Sequence, residues 1–154
     1  MSERLLDRIE CPADLRALPR ESIGRICEEL REEIVQRVAK SGGHLASSLG
    51  AVELITAVHA VFDTPVDRLV LDVGHQGYAH KMLTGRRAGF DRIGKEDGIG
   101  KFLRRDESAY DHFGAGHGAE LSRSDSRVAR LDASGQRHSA YRLGAAWRGI
   151  GSRA

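Results

Sequence analysis

Residues 22–40 carry apolar side chains at intervals of three and four positions, and charged side chains fill most of the positions between them. This spacing is typical of an amphipathic α-helix. Gly42 and Gly43 follow, and glycine commonly ends a helix because it accepts a left-handed backbone. We therefore predict a helix over 22–40. Its apolar face comprises Ile23, Ile26, Cys27, Leu30, Ile34, Val35 and Val38, and its charged face comprises Glu28, Glu29, Arg31, Glu32 and Arg37.

Four further segments have helical patterns. Residues 48–62 are apolar almost all round a helical wheel, which predicts a second helix buried on more than one side. Pro12 opens a predicted helical turn over 12–15, since proline is tolerated at the first position of a helix. Shorter helices are predicted over 78–83, closed by Thr84 and Gly85, and over 89–93.

The run over 68–73 is β-like and ends at Gly74. Its apolar residues predict a buried strand of a parallel sheet, and together with the helices it indicates an α/β fold. His75 and Gln76 follow the carboxyl end of this strand, where open α/β sheets bind ligands. A second short strand is predicted over 112–117, leading into a glycine-rich loop. Residues 118–154 hold neither a helical nor a strand period for long, so we expect them to be weakly ordered.

Composition restricts the function classes. The chain has 154 residues, 40% of them hydrophobic, and a net charge of +2 from 24 basic and 22 acidic side chains. That is enough for the core of one domain, and no basic block predicts a nucleic-acid partner. No run of ~18 apolar residues predicts a membrane span, and residues 1–10 lack the apolar core of a signal peptide. Cys11 and Cys27 stand alone, which favours structural roles in a reducing cytoplasm.

Three of the seven histidines, His44, His75 and His117, follow a glycine. Glycine lets a ligand approach the backbone closely, and a neutral imidazole can hold or transfer a proton near neutral pH. Taken alone, His44 is as compatible with a helix-end cap as with a catalytic group. His59 and His80 fall on predicted helices, where we expect surface or core-edge positions. No zinc spacing and no Gly-x-Ser-x-Gly elbow supports a metal-dependent hydrolase or a serine hydrolase.

Several ordered motifs resemble the 1-deoxy-D-xylulose-5-phosphate synthase family, which depends on thiamine diphosphate. The resemblance runs from about Leu5 to His117, and the wider transketolase group shares it less closely. The motifs are SGGHLASSLG (41–50), VEL (52–54), VFDTP (61–65), DVGHQGYAHK (72–81), LTGRR (83–87), ES (107–108), YD (110–111) and GH (116–117).

The resemblance implies a function and a site. The family's transferase reaction joins pyruvate, after loss of carbon dioxide, to glyceraldehyde 3-phosphate, for isoprenoid and thiamine biosynthesis. It implies thiamine diphosphate and Mg²⁺ as cofactors, a homodimer, and residues 1–117 as part of the cofactor-binding domain, with a parallel sheet flanked by helices. Carried over by position, His44 is the catalytic residue beside substrate and cofactor, and His75, Gly116, His117 and Gly118 contact the cofactor.

The chain departs from the family pattern after His117. The family continues with Ala or Ser and then Ser-Thr-Ser, whereas this chain reads GAELS over 118–122. The chain contains no Gly-Asp-Gly magnesium motif, so the sequence predicts no metal ligands of its own. We therefore expect a truncated, frameshifted or fragmentary form, inactive alone, with a frameshift favoured for 118–154. The alternative is a non-catalytic remnant or a subunit of a split transketolase-like enzyme, although such a half should keep that motif.

Overall fold

The computed structural model describes residues 4–71 and 73–112, and the backbone of 140–143. These residues are mostly helical. They divide into two compact units, one of Met1–Asp63 with His75–Lys101 and the other of Thr64–Gly74 with Phe102–Ala154. In chain order the elements are a 3-10 turn (Leu5–Arg8), α1 (Pro12–Ala17), a 3-10 turn (Arg20–Ser22), α2 (Ile23–Ser41), α3 (Leu45–Leu49), α4 (Val52–Val61), β1 (Arg68–Leu71), α5 (Tyr78–Lys81), a π-type turn (Met82–Arg86), a 3-10 helix (Arg87–Arg92) and β2 (Ala140–Leu143).

The first unit is built around α2, which confirms the helix predicted over 22–40. Its apolar residues Ile26, Leu30 and Ile34 are completely buried, and α2 packs against α3, α4 and the N-terminal turn. The predicted charged face is wrong at Glu29, which is 7% exposed. The Glu29 carboxylate is held inside because it accepts a hydrogen bond of 2.8 Å from the Leu6 N–H, which satisfies a buried polar group.

The helix predicted over 48–62 is α4, which begins at Val52 rather than near Ser48, after a separate short helix, α3, and a turn at Gly50 and Ala51. The Ala51 backbone, at φ −112° and ψ 1°, is not helical. Burial on more than one side is also wrong in the described structure, since Leu54 is 51% exposed and Val61 71% exposed. These two side chains lie seven positions apart, so they share one face of α4.

In the second unit, β1 begins at Arg68 and its next three residues are buried, as the sequence predicts. The strand ends at Leu71, two positions before Val73 of the prediction. Val73 has φ +64°, a backbone that a β-branched residue rarely adopts and that a strand cannot contain. β1 pairs in parallel with β2 in the register Arg68 with Ala140 to Leu71 with Leu143. This ladder is short, and the sheet flanked by helices stays a prediction.

The remaining expectations have mixed outcomes. α1 starts at Pro12 as predicted. The helix predicted over 78–83 is α5, which ends at Lys81 and is followed by the turn Met82–Arg86, where Gly85 has φ +81°. The short helix predicted over 89–93 is the 3-10 helix Arg87–Arg92. The strand predicted over 112–117 lies outside the described residues from 113 onwards. Of the weakly ordered segment predicted over 118–154, only the backbone of 140–143 is described, and the prediction stays open.

Both cysteines are free, Cys27 buried and Cys11 partly exposed. Burial raises the pKa of the Cys27 thiol, which keeps it protonated. In the described ranges, no helix is both long enough and apolar enough to cross a membrane.

Candidate functional site

The candidate site lies in the first unit, where the chain turns from α2 into α3. Gly42 and Gly43 have φ +69° and +147°, conformations that side-chain-bearing residues avoid. This two-glycine turn ends α2 and places His44 directly before the first residue of α3. His44 occupies the N-cap position of α3, but its side chain makes no cap hydrogen bond, so the alternative of a helix-end cap is not supported and the ligand role stays a prediction.

His44 and His75 lie together although they are distant in the sequence. Their ring centroids are 4.1 Å apart, with the ring planes tilted by 53°. Both residues are half-buried. Two half-buried histidines beside a glycine turn can present nitrogen donors and acceptors to one polar ligand.

The backbone of His75 is held by two serines of α3. Ser48 Oγ donates a hydrogen bond of 2.9 Å to the His75 carbonyl, and Ser47 Oγ donates one of 3.2 Å to the same oxygen. Ser48 is completely buried, whereas Ser47 is exposed. The Ser48 contact is thus the shorter and the better shielded from water of the two.

The backbone of His44 is held by a tyrosine of α5. The His44 N–H donates to the Tyr78 hydroxyl at 3.3 Å. The Tyr78 ring is completely buried and meets the Phe90 ring edge to face, with centroids 5.4 Å apart. The same hydroxyl lies so close to Gly43 that a Cβ added there would collide with it. This close approach is a second reason, besides the positive φ, for glycine at position 43.

The local electrostatics favour a neutral His44. Partial burial lowers the pKa of the His44 imidazole, and the neighbouring His75 and Lys101 lower it further. Both causes act against the charged form. At neutral pH the His44 ring therefore has one N–H donor and one nitrogen acceptor, the state that can hold or exchange a proton.

A second histidine pair was not anticipated, and the expectation of surface or core-edge positions for His59 and His80 is wrong. Both side chains are buried, and His59 Nε2 lies 2.9 Å from His80 Nδ1. Burial, with His80 and then Arg16 and Arg86 nearby, lowers the pKa of His59 to about 3. The sequence signal that could have suggested it is the placement of a histidine among apolar residues on each of the two helices.

The other predicted site residues are outside the described part of the chain. Gly116, His117 and Gly118 lie between 113 and 139, so their cofactor contacts stay predictions. In the ranges 4–71 and 73–112, no three His, Cys, Asp or Glu side chains come together in a way that could hold a metal ion.

The geometry defines a class of site, a pair of contacting, half-buried histidines whose backbones are held by hydrogen bonds, that suits a polar ligand. Comparison with known proteins gives the family. The family model described as 1-deoxy-D-xylulose-5-phosphate synthase matches residues 6–141. The chain is 59% identical over 114 residues to the protein of that name from Anaeromyxobacter sp. (strain Fw109-5), covering 74% of this chain and 18% of the relative.

Two further relatives carry the same name. The protein from Nitrosomonas europaea is 59% identical over 113 residues, covering 73% of this chain and 18% of the relative. The protein from Bordetella pertussis is 54% identical over 117 residues, covering 76% of this chain and 19% of the relative. The chain belongs to the 1-deoxy-D-xylulose-5-phosphate synthase family. It spans slightly less than a fifth of the length of the curated relatives that it matches.

Proposed function

We propose that this chain is the N-terminal, cofactor-contacting part of an enzyme that condenses pyruvate, with loss of carbon dioxide, with glyceraldehyde 3-phosphate to give 1-deoxy-D-xylulose 5-phosphate. The observation that carries the proposal is the contact between His44 and His75, with ring centroids 4.1 Å apart. The motifs that contain these two histidines belong to the family resemblance, and the match with the family model includes both.

Thiamine diphosphate is the cofactor of this proposal, and the residues present fit part of it. Two half-buried histidines and the turn at Gly42, where an added Cβ would meet nothing within 4 Å, leave room for a polar ligand close to the backbone. When bound, thiamine diphosphate supplies the electron sink that makes decarboxylation of a 2-oxo acid feasible. His75 contributes a contact to the cofactor, as do Gly116, His117 and Gly118.

His44 is the catalytic residue of the proposal. The lowered pKa keeps its ring neutral, so one ring nitrogen can donate a hydrogen bond to a substrate oxygen and the other can accept a proton. The glycine turn and the Tyr78 hydroxyl fix the His44 backbone. A group held in this way can orient a substrate without having to be ordered at each turnover.

Mg²⁺ does not fit the described residues. It needs several oxygen ligands in a near-octahedral arrangement, and residues 4–71 and 73–112 bring no such cluster together. The Gly-Asp-Gly motif is absent from the sequence as well. The proposal therefore includes no step through the metal, and it includes inactivity of this chain alone.

The remaining parts of the proposal concern architecture, partners and location. The α/β domain over 1–117, with a parallel sheet flanked by helices, is supported by the match with the family model over residues 6–141 and by the buried strand β1. The family's homodimer is supported by the exposed apolar face of α4, with Leu54 and Val61. A cytoplasmic location is supported by two free cysteines.

Two assays test the proposal. The purified chain, given thiamine diphosphate, Mg²⁺, pyruvate and glyceraldehyde 3-phosphate, should make no product above background. In the full-length Anaeromyxobacter relative, alanine at the position equivalent to His44 should lower kcat by about 100-fold or more, as removal of a proton-transferring group does. Product formation by this chain alone would contradict the proposal that the chain is inactive by itself. Unchanged turnover in the variant would contradict the proposed role of His44.

A further inference from the structure

We propose that Tyr78 and Ser48 are positioning residues, whose hydroxyl groups hold His44 and His75 at contact distance. The inference rests on the proposed function of the two histidines, and it adds two residues that hydrogen-bond to the histidine backbones. It stands on two hydrogen bonds that join the same two chain segments, 43–48 and 75–78. One runs from the His44 N–H to the Tyr78 hydroxyl, and the other from Ser48 Oγ to the His75 carbonyl.

The Tyr78 hydroxyl is a fixed point in the first unit. Its ring is completely buried and packs edge to face on Phe90, at 5.4 Å between centroids. The rest of the ring therefore cannot move away from the turn without losing that packing. The Tyr78 hydroxyl accepts a hydrogen bond from the N–H of His44, the residue directly before α3, and it lies against Gly43. These two contacts together fix the position of the His44 backbone.

Ser48 holds the second histidine of the pair, His75. It lies on α3, the helix that starts directly after His44, and its side chain is completely buried. Through its bond of 2.9 Å to the His75 carbonyl, α3 holds both histidines, one by chain connection and one by hydrogen bond. Ser47 adds a longer, exposed bond of 3.2 Å to the same carbonyl. A hydrogen bond shielded from water is the stronger of two such contacts.

The arrangement places the two hydroxyls on backbone atoms rather than on the imidazoles. These two hydrogen bonds therefore do not involve the ring nitrogens of His44 and His75, while they restrict how far the two rings can separate. A packing role alone would not require the hydroxyls, because the Tyr78 ring packs on Phe90 through its carbon atoms. This difference makes the inference testable with variants that keep the carbon skeleton.

The test uses Tyr78→Phe and Ser48→Ala in the full chain, and Thr56→Val as matched control. Thr56 is a completely buried hydroxyl of α4 that donates to the Val52 carbonyl at 2.7 Å, outside the candidate site. Three NMR readouts apply to each variant. They are the hydrogen-exchange rate of the His44 amide, the nuclear Overhauser effect between the His44 and His75 rings, and the pH titration of His44.

In Tyr78→Phe the His44 amide should exchange about two- to tenfold faster, the effect of losing one hydrogen bond. Both test variants should weaken the ring-to-ring Overhauser effect and raise the pKa of His44 towards its ordinary value, since burial and the nearness of His75 both lower it. Thr56→Val should change none of the three. Folding of each variant is checked by the dispersion of the amide spectrum, and Ser48→Ala gives an independent answer if Tyr78→Phe is misfolded.

Unchanged exchange, Overhauser effect and titration in both folded test variants would overturn the inference, as would equal changes in Thr56→Val. None of these readouts depends on turnover. If the histidines prove irrelevant to catalysis in the full-length relative while the NMR changes occur, the proposed function fails and the positioning stands. If the histidines matter there and the NMR readouts do not move, the positioning fails and the proposed function stands.

Discussion

His59 Nε2 on α4 lies 2.9 Å from His80 Nδ1 on α5, and both side chains are buried. At this distance one ring nitrogen donates and the other accepts, so the contact requires an unprotonated acceptor. The pKa of His59 is lowered to about 3 from its usual 6.5, primarily by burial and then by His80, Arg16 and Arg86. The pair therefore joins α4 to α5 in a way that depends on pH.

We predict that the free energy of unfolding falls as the pH drops below 6.5 towards about 3. The unfolded chain binds a proton at His59 in this range and the folded chain does not, so acid favours the unfolded state by up to about 1.4 kcal/mol per pH unit. The stability that is lost in acid is fully present above pH 6.5. Urea denaturation at several pH values measures it. His59→Gln keeps a nitrogen donor at a similar position without an imidazole that titrates, and it should give a shallower dependence. An identical pH dependence in His59→Gln would show that another group is responsible.

Two glycine substitutions should have opposite effects on stability. Gly43→Ala places a Cβ at φ +147° and against the Tyr78 hydroxyl, so it should destabilise the chain by about 1–3 kcal/mol. Gly24→Ala, in α2, meets nothing within 4 Å and should stabilise it by up to about 1 kcal/mol. Urea denaturation with a two-state fit gives both values. If Gly43→Ala is as well tolerated as Gly24→Ala, the described turn before His44 is incorrect.

Substitutions of two adjacent glutamates of α2, Glu28 and Glu29, should also differ in their effect on the free energy of unfolding. The Glu29 carboxylate accepts hydrogen bonds from the Leu6 N–H at 2.8 Å and from Arg25 Nε at 3.0 Å. Burial alone would raise its pKa, but these donors outweigh burial and the pKa is lowered. Glu29→Gln should therefore cost about 1–3 kcal/mol of unfolding free energy, because a neutral amide replaces a charged acceptor. The exposed Glu28 is the control, and Glu28→Gln should lie within about 0.5 kcal/mol of the unsubstituted chain.

The sequence predicted some of these features and not others for physical reasons. α2 was predictable because its apolar residues repeat at the helical period over nineteen residues. The burial of Glu29 was not predictable from that period, since it depends on the N-terminal turn that supplies the Leu6 N–H. The His59–His80 contact is likewise tertiary, because a helical wheel does not say which second helix a residue faces.

The ends of the helices were likewise predictable in one place and not in another. Gly85 was expected to end the helix before it, and its positive φ does so locally. The start of α4 was placed too early because no proline and no polar run marks the turn at Gly50 and Ala51. For the candidate site, the family resemblance selected His44 and His75, and the structure adds the distance between them and the contacts of Tyr78 and Ser48.

The most direct test of the account is a chimera. Residues 6–112 of this chain replace the aligned segment of the full-length Anaeromyxobacter relative, which is 59% identical, and synthesis of 1-deoxy-D-xylulose 5-phosphate is measured with and without added thiamine diphosphate. The account predicts turnover that depends on thiamine diphosphate. It also predicts that His44→Ala in the same chimera lowers kcat by about 100-fold or more. A folded chimera without turnover, or one in which His44→Ala has no effect, would contradict it.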